Sequence, residues 1–258
     1  MIVDCHTHFG MCWHERDGLN PANWLAILDR HGVDKAFLYP HAGIHRLDLC
    51  ERDNKTMIEV ATRAPDRLIP VATAWPQMGA ECLVEVRRAV ALGARGLKFH
   101  PWVQGFSTAD RFMHRICEAA AELRVPIFFH DGTPCYSLSS QIAGLARQHR
   151  DTQIVLGHSG LLWDWRSAME AARLDNVWSC LCGPHMRAME IFCRHADPDR
   201  LLWGSDFGFN FNDSIDYRLN IFRRSEIHES VKEKILGLNV ERLLAPGAPS
   251  PSVNLKSA

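Results

Sequence analysis

The sequence predicts a single-domain α/β protein, a (β/α)8 TIM barrel, and three observations predict it. Eight short apolar runs of strand length are spread over the chain, each followed by a helical pattern. These runs are continuously apolar rather than alternating, which marks parallel strands buried on both faces. Eight β-then-α units need about 250 residues, and the chain has 258. A doubly wound open sheet is the alternative, but no glycine-rich phosphate loop follows the first run.

The first strand is Met1-Ile-Val-Asp-Cys-His-Thr-His-Phe-Gly10, apolar at its start and ending in His6 and His8. Strand alternation puts both histidines on one face, roughly 7 Å apart along the chain. Asn20-Pro21 then offers a helix cap with proline at the first helical position, and Trp24, Leu25 and Leu28 follow at helical spacing. Lys35–Pro40 reads as a buried strand. A helix near 49–63 leads to a strand at 68–74, and a helix near 79–92 leads to a strand at 95–100 that Pro101 breaks. Helices near 109–123 and 138–149 precede strands at 125–130 and 153–158. A helical segment at 165–174 precedes a strand at 177–182, the last strand is 200–206, and a closing helical region is clearest at 231–244. One domain therefore covers 1–245. The tail 246–258, with Pro246, Pro249 and Pro251, reads as poorly ordered.

Composition narrows the function. The chain is 47% hydrophobic and 23% charged with a formal charge of −1 and no basic block, so nothing invites nucleic acid or an anionic membrane. No apolar run approaches the roughly 20 residues of a membrane span. Asp4, His6 and His8 stand where a signal peptide would carry its apolar region, so a cytoplasmic protein is expected. Nine cysteines, an odd count at irregular spacing, read as reduced buried thiols; Cys180 and Cys182 lack the second pair of a four-thiolate site. The expected partner is a small-molecule substrate, and a homodimer is left open.

The polar residues that end the apolar runs carry the chemistry. His6 and His8 close strand one, His100 strand four, His130 strand five, His158 strand six and Asp206 strand eight. In a barrel all these C-terminal ends gather at one mouth, where active sites sit. Neutral imidazoles with one carboxylate suit a borderline cation such as zinc, and an open coordination position makes such a site catalytic.

The DxHxH start, the histidines ending strands five and six, and the Gly-Ser-Asp ending strand eight resemble the amidohydrolase superfamily. Within it the chain is similar to the amidohydrolase-2 branch that includes aminocarboxymuconate-semialdehyde decarboxylase and several lactonases. Gly96-Leu-Lys-Phe-His-Pro101, Gly157-His-Ser-Gly160, Pro65-Asp-Arg67 and Ile235-Leu-Gly-Leu-Asn239 add to the likeness, which spans roughly residues 2–245. The resemblance implies that His6, His8, His130 and Asp206 bind one divalent metal, with zinc expected and manganese the alternative. It implies that His158 is a catalytic histidine outside the ligand set and that Asp206 also takes the proton of a metal-bound water. Asp4 is expected to support a histidine from behind. Other branches carry a carboxylated lysine on strand four that bridges two metals; one metal is favoured here, with Lys98 and His100 lining the site. His100 is open to a supporting hydrogen bond or to substrate contact.

Trp13, Trp75, Trp102, Trp163 and Trp165, with Tyr136 and Phe207, fall just after strand ends and suit a flat or cyclic ligand. Arg16, Arg46 and Arg166 also follow strands and are candidates to pair a substrate carboxylate. The function expected first is metal-dependent hydrolysis of a small cyclic ester, a lactone, or related carbonyl compound. The alternative is metal-dependent non-oxidative decarboxylation of an unsaturated or aromatic carboxylic acid, and the second alternative a metal-binding barrel without catalysis.

Overall fold

The computed structural model describes residues 1–9, 21–208 and 214–245. Trp13, Arg16, the Asn20 cap and the tail 246–258 lie outside the described residues. The described residues include eight parallel strands: β1 (Val3–Phe9), β2 (Lys35–Pro40), β3 (Leu68–Pro70), β4 (Leu97–Phe99), β5 (Ile127–Phe129), β6 (Ile154–Leu156), β7 (Val177–Cys180) and β8 (Leu201–Leu202). They run in chain order as β1-β2-β3 and as β4 through β8. Single parallel bridges, Ala72 with Leu97 and Thr7 with Phe207, join the two runs at both seams. The ring is therefore closed, as in a (β/α)8 barrel.

Each strand is followed by a main outer helix, with shorter helical turns beside some of them: α1 (Pro21–His31), α2 (Cys50–Ala61), α3 (Ala80–Ala91), α4 (Arg111–Leu123), α5 (Ser139–Gln148), α6 (Trp165–Ala171), α7 (Met186–His195) and α8 (Ser214–Arg224). Helix α4 shows the local logic. The Asp110 side chain accepts a hydrogen bond from the Phe112 N–H, and Met113, Ile116, Cys117 and Ala120 form the buried stripe. The paired strands are shorter than the apolar runs that mark them, because the ring holds full ladder pairing only at its waist. Helix α7 has no counterpart among the helices read from the sequence. His185 caps it by accepting from Ala188 N–H, and Ala188, Met189, Glu190 and Phe192 make its buried face. None of the described helices is long and apolar enough to cross a membrane.

Strand alternation divides the core in two. Leu38, Leu97, Phe99, Ile127, Phe129, Ile154 and Leu156 face outward into the helices. Phe37, Tyr39, Val71, Phe128, Val155, Trp178 and Leu202 fill the barrel interior. Lys98 lies between Leu97 and Phe99, so alternation sends it inward, and it is fully buried. The register of β1 on β2 slips between Asp4 and Thr7, an irregularity of the kind that re-aims side chains beside active sites.

Candidate active site

Strands β1 and β8 build the first half of the site. Asp206 N–H donates to His6 O at 2.8 Å, which seats the end of β8 against β1. Asp206 has φ 60°, a left-handed conformation aspartate tolerates better than most residues. Its Oδ1 then stands 3.5 Å from His6 Nε2 and 3.2 Å from His8 Nε2. Behind them Asp4 is wholly committed: it accepts from His6 N–H at 3.1 Å, Ser205 N–H at 3.0 Å and the Ser205 hydroxyl at 2.5 Å. Burial raises the Asp4 carboxyl to about 7, against these hydrogen bonds. Gly204 is required for this seam, since a Cβ there would come within 2.8 Å of the His6 Cβ.

The donor set fits a divalent metal. One nitrogen of His6, one of His8 and one oxygen of Asp206 all lie within 4.8 Å of one another. Atoms held about 2.1 Å from one ion sit roughly 3.0–3.4 Å apart, close to the two distances above. His6 Nδ1 is 2.9 Å from Gly157 O, and a carbonyl only accepts, so Nδ1 carries the hydrogen and Nε2 presents its lone pair to Asp206. Burial keeps the imidazoles neutral: it drives His6, His130 and His158 well below the usual histidine range and lowers His8. Lys98 Nζ lies 3.3 Å from His6 Nε2 and competes for that lone pair. Burial lowers the Lys98 ammonium to about 8, and Asp206 holds it up.

Strands β4 to β7 build the other half. The His100 and His130 rings stack with centroids 3.7 Å apart, and burial takes His100 down to about 2. His130 Nε2 is 2.8 Å from Thr133 Oγ1, so His130 sits outside the compact three-donor group, beside His158 at 4.4 Å between centroids. His158 is placed by the turn after β6. Asp131 accepts from the N–H groups of His158 and Gly160, both at 2.6 Å, and from the Ser139 hydroxyl at 3.1 Å. Burial raises the Asp131 carboxyl to about 6. Cys182 Sγ lies 3.2 Å from His158 Nδ1 and 3.0 Å from Gly157 O, and with Cys180 Sγ it borders the far edge of His6.

The structure thus brings Asp4, His6, His8, Lys98, His100, His130, His158 and Asp206 to one end of the barrel. It does not bring the arginines with them. Arg46 is exposed and paired two-pronged with Asp48, at 3.1 and 2.6 Å. Arg166 is exposed and lies over the Trp165 ring. Trp165 and Phe207 are buried, whereas Trp102, Tyr136 and Trp163 are exposed on the segments after β4, β5 and β6. Sequence reasoning missed Asp131, Thr133, Cys182 and His41. His41 follows β2, is buried, and its ring is 6.3 Å from that of His8. Burial takes it to about 3. A histidine one residue past a strand end was a legible signal for His41; Asp131 holds the same place after the run 125–130 and Cys182 closes the run 177–182, whereas nothing local marks Thr133.

A closed parallel barrel with three convergent groups at its C-terminal mouth that could hold a metal ion is an architecture suited to an enzyme. The chain belongs to the amidohydrolase family, whose pattern matches residues 3–245, and it is an enzyme of that family. Among solved structures it is similar to 2,6-dihydroxybenzoate decarboxylase from Rhizobium, with 18% identity, a TM-score of 0.75, and 94% of this chain and 98% of that one covered. It is similar to a dihydroxybenzoic acid decarboxylase from Polaromonas with bound manganese and the inhibitor 2-nitroresorcinol, at 16% identity and TM-score 0.73, covering 94% and 96%. It is also similar to 4-oxalomesaconate hydratase from Rhodopseudomonas palustris, at 19% identity and TM-score 0.71, covering 95% of each chain. No curated protein matches the chain in sequence.

Proposed function

We propose that this chain is a metal-dependent, non-oxidative decarboxylase of an aromatic or unsaturated carboxylic acid. This reverses the order of the two reactions expected from the sequence, in which lactone hydrolysis came first. Both the likeness to aromatic acid decarboxylases and the charge of the mouth favour the alternative.

The observation that carries the reading is that charge. Asp4 and Asp131 are spent on N–H and hydroxyl donors, which leaves Asp206 as the carboxylate turned toward the donor group among the described residues. The surrounding imidazoles are neutral. A divalent ion outweighs one carboxylate whether or not Lys98 is protonated, so an anionic substrate completes the site better than a neutral ester. The exposed Trp102, Tyr136 and Trp163 after β4 to β6 suit a planar acid.

His6, His8 and Asp206 would hold the ion, with His130 as a fourth ligand once it leaves Thr133. When bound, the ion would grip the substrate's oxygens and draw electron density from the ring, and zinc and manganese both suit this donor set. Asp206, once it has taken a proton from solvent, delivers it to the ring carbon that bears the carboxylate. The bond from that carbon to the carboxylate then breaks, its electron pair returns to the ring, and carbon dioxide leaves. The Asp206 side chain is 36% exposed, so solvent can return the proton. His158, buried beside His6 and His130, orients the substrate.

The test is a panel of hydroxybenzoates, including 2,6-dihydroxybenzoate, with unsaturated acids and lactones, run on protein loaded with manganese or zinc. Carbon dioxide release from an acid, abolished by Asp206→Asn, is the expected result. Turnover of lactones with no carbon dioxide from any acid would restore hydrolysis as the better reading.

A further inference from the structure

We infer that Cys182 is a positioning residue that fixes the tautomer of His158, so that His158 Nε2 faces the substrate as a hydrogen-bond acceptor. The inference deepens the proposed function and rests on His158 orienting the substrate there.

The argument follows the hydrogens. Cys182 Sγ lies 3.0 Å from Gly157 O and 3.2 Å from His158 Nδ1. Cys182 is 1% exposed and His158 3%, so the protein supplies the partners of both groups. A sulfur 3.0 Å from a carbonyl oxygen carries its hydrogen toward that oxygen, and its other polar neighbours are His158 Nδ1, the Cys180 thiol and, at 3.8 Å, His6 Nδ1. Gly157 O can only accept, and it already takes the Nδ1 hydrogen of His6 at 2.9 Å. A carbonyl has two lone pairs, so it accepts from Cys182 as well. The sulfur is then left as an acceptor toward His158, whose Nδ1 must carry the hydrogen. One carbonyl, Gly157 O, thereby sets two rings: His6 turns its Nε2 lone pair to the metal donors, and through Cys182 His158 turns its own into the mouth.

The turn allows this only without a side chain at 157. A Cβ on Gly157 would meet Phe129 O at 2.5 Å and the His6 ring at 3.0 Å. The Ser159 hydroxyl donates to Cys180 O at 2.7 Å and ties the same turn to β7, two residues before Cys182. The specificity that follows is for an acid carrying a donor, a ring hydroxyl, on the side that faces His158. A substrate offering only an acceptor there would face a lone pair.

The direct test is long-range proton–nitrogen NMR on the full 15N-labelled chain, with and without zinc, which is diamagnetic. The expected wild-type signature of His158 is a protonated Nδ1 and an unprotonated Nε2. Cys182→Ala should lose it, while Cys182→Ser, which keeps one donor and one acceptor, should retain it. On the loaded enzyme with 2,6-dihydroxybenzoate, Cys182→Ala should lower kcat about 10–100-fold with KM changed only a few-fold, and Cys182→Ser should recover most of the loss. A wild-type His158 protonated on Nε2 overturns the inference, as does an Nδ1–H signature unchanged in Cys182→Ala. The wild-type spectrum decides even if the alanine variant does not fold. It is read without substrate, so an Nδ1–H His158 in an enzyme that turns over no acid would sink the proposed reaction and leave the tautomer standing.

Discussion

The two ends of the barrel treat polar groups in opposite ways. At the floor, where the strands begin, Val3, Phe37, Val240 and Leu243 make a dry apolar plug, and charge stays at the surface. Arg67 pairs with Asp29 at 2.6 Å, and Asp199 pairs with Lys234 at 2.7 Å and Arg242 at 2.9 Å, all partly exposed. At the mouth a lysine, two carboxylates and several imidazoles lie buried, each backed by a specific donor or acceptor. Burying such groups costs free energy that the floor does not spend. The difference teaches that floor residues hold the fold, and mouth residues are kept for chemistry.

The largest way to sharpen this contrast is Asp206→Asn. Asparagine also tolerates the left-handed backbone of this position, so fold and melting temperature should hold while turnover falls about 10³-fold or more and metal content drops. A variant that keeps its metal and activity would break the contrast at its centre. Phe37→Ala should do the reverse. The ring is fully buried and packs 5.3 Å from Phe128, so its loss should cost about 3–5 kcal/mol in denaturant unfolding. Metal content per folded molecule should be unchanged; a metal-poor variant would show that floor and mouth are coupled.

His158→Ala is expected to lower turnover by about 10²-fold while retaining metal by elemental analysis. Loss of the ion would make His158 a ligand instead. The smallest effect belongs to the floor's surface. Hydrogen bonds from Lys234 first and then Arg242 hold the Asp199 carboxyl below its usual range. A depressed folded pKa adds stability above the unfolded value of about 3.9, and that stability fades as pH falls through the folded one. Asp199→Asn should therefore cost at most about 1 kcal/mol at pH 7, and less as the pH drops from 5 to 3. A cost that grows toward acid would contradict this.

Much of the protein was legible because its signals are local. A strand is an apolar run, an outer helix a 3.6-residue stripe, and a barrel their eightfold alternation. His6, His8, His100, His130, His158 and Asp206 could be read because each ends such a run, and a barrel gathers those ends. Lys98 could be placed inward by parity with Leu97 and Phe99. Helix α7 went unread, although its buried face of Ala188, Met189 and Phe192 is a stripe of the same kind. What no sequence pattern could supply is pairing across the ring. Gly157 O meets His6 from 151 residues away, Cys182 reaches His158 from 24, and Ser205 finds Asp4 from 201. The sequence by itself determined which strand-end histidines and aspartate reach the mouth, because strand period and strand end are properties of consecutive residues. Only the tertiary structure decided how side chains are partnered: that Arg46 closes on Asp48, that Asp131 accepts from the N–H groups of His158 and Gly160, and that Gly157 O and Cys182 stand beside His6 and His158. Those outcomes rest on angstrom distances between separate strands, which exist only once the barrel has closed.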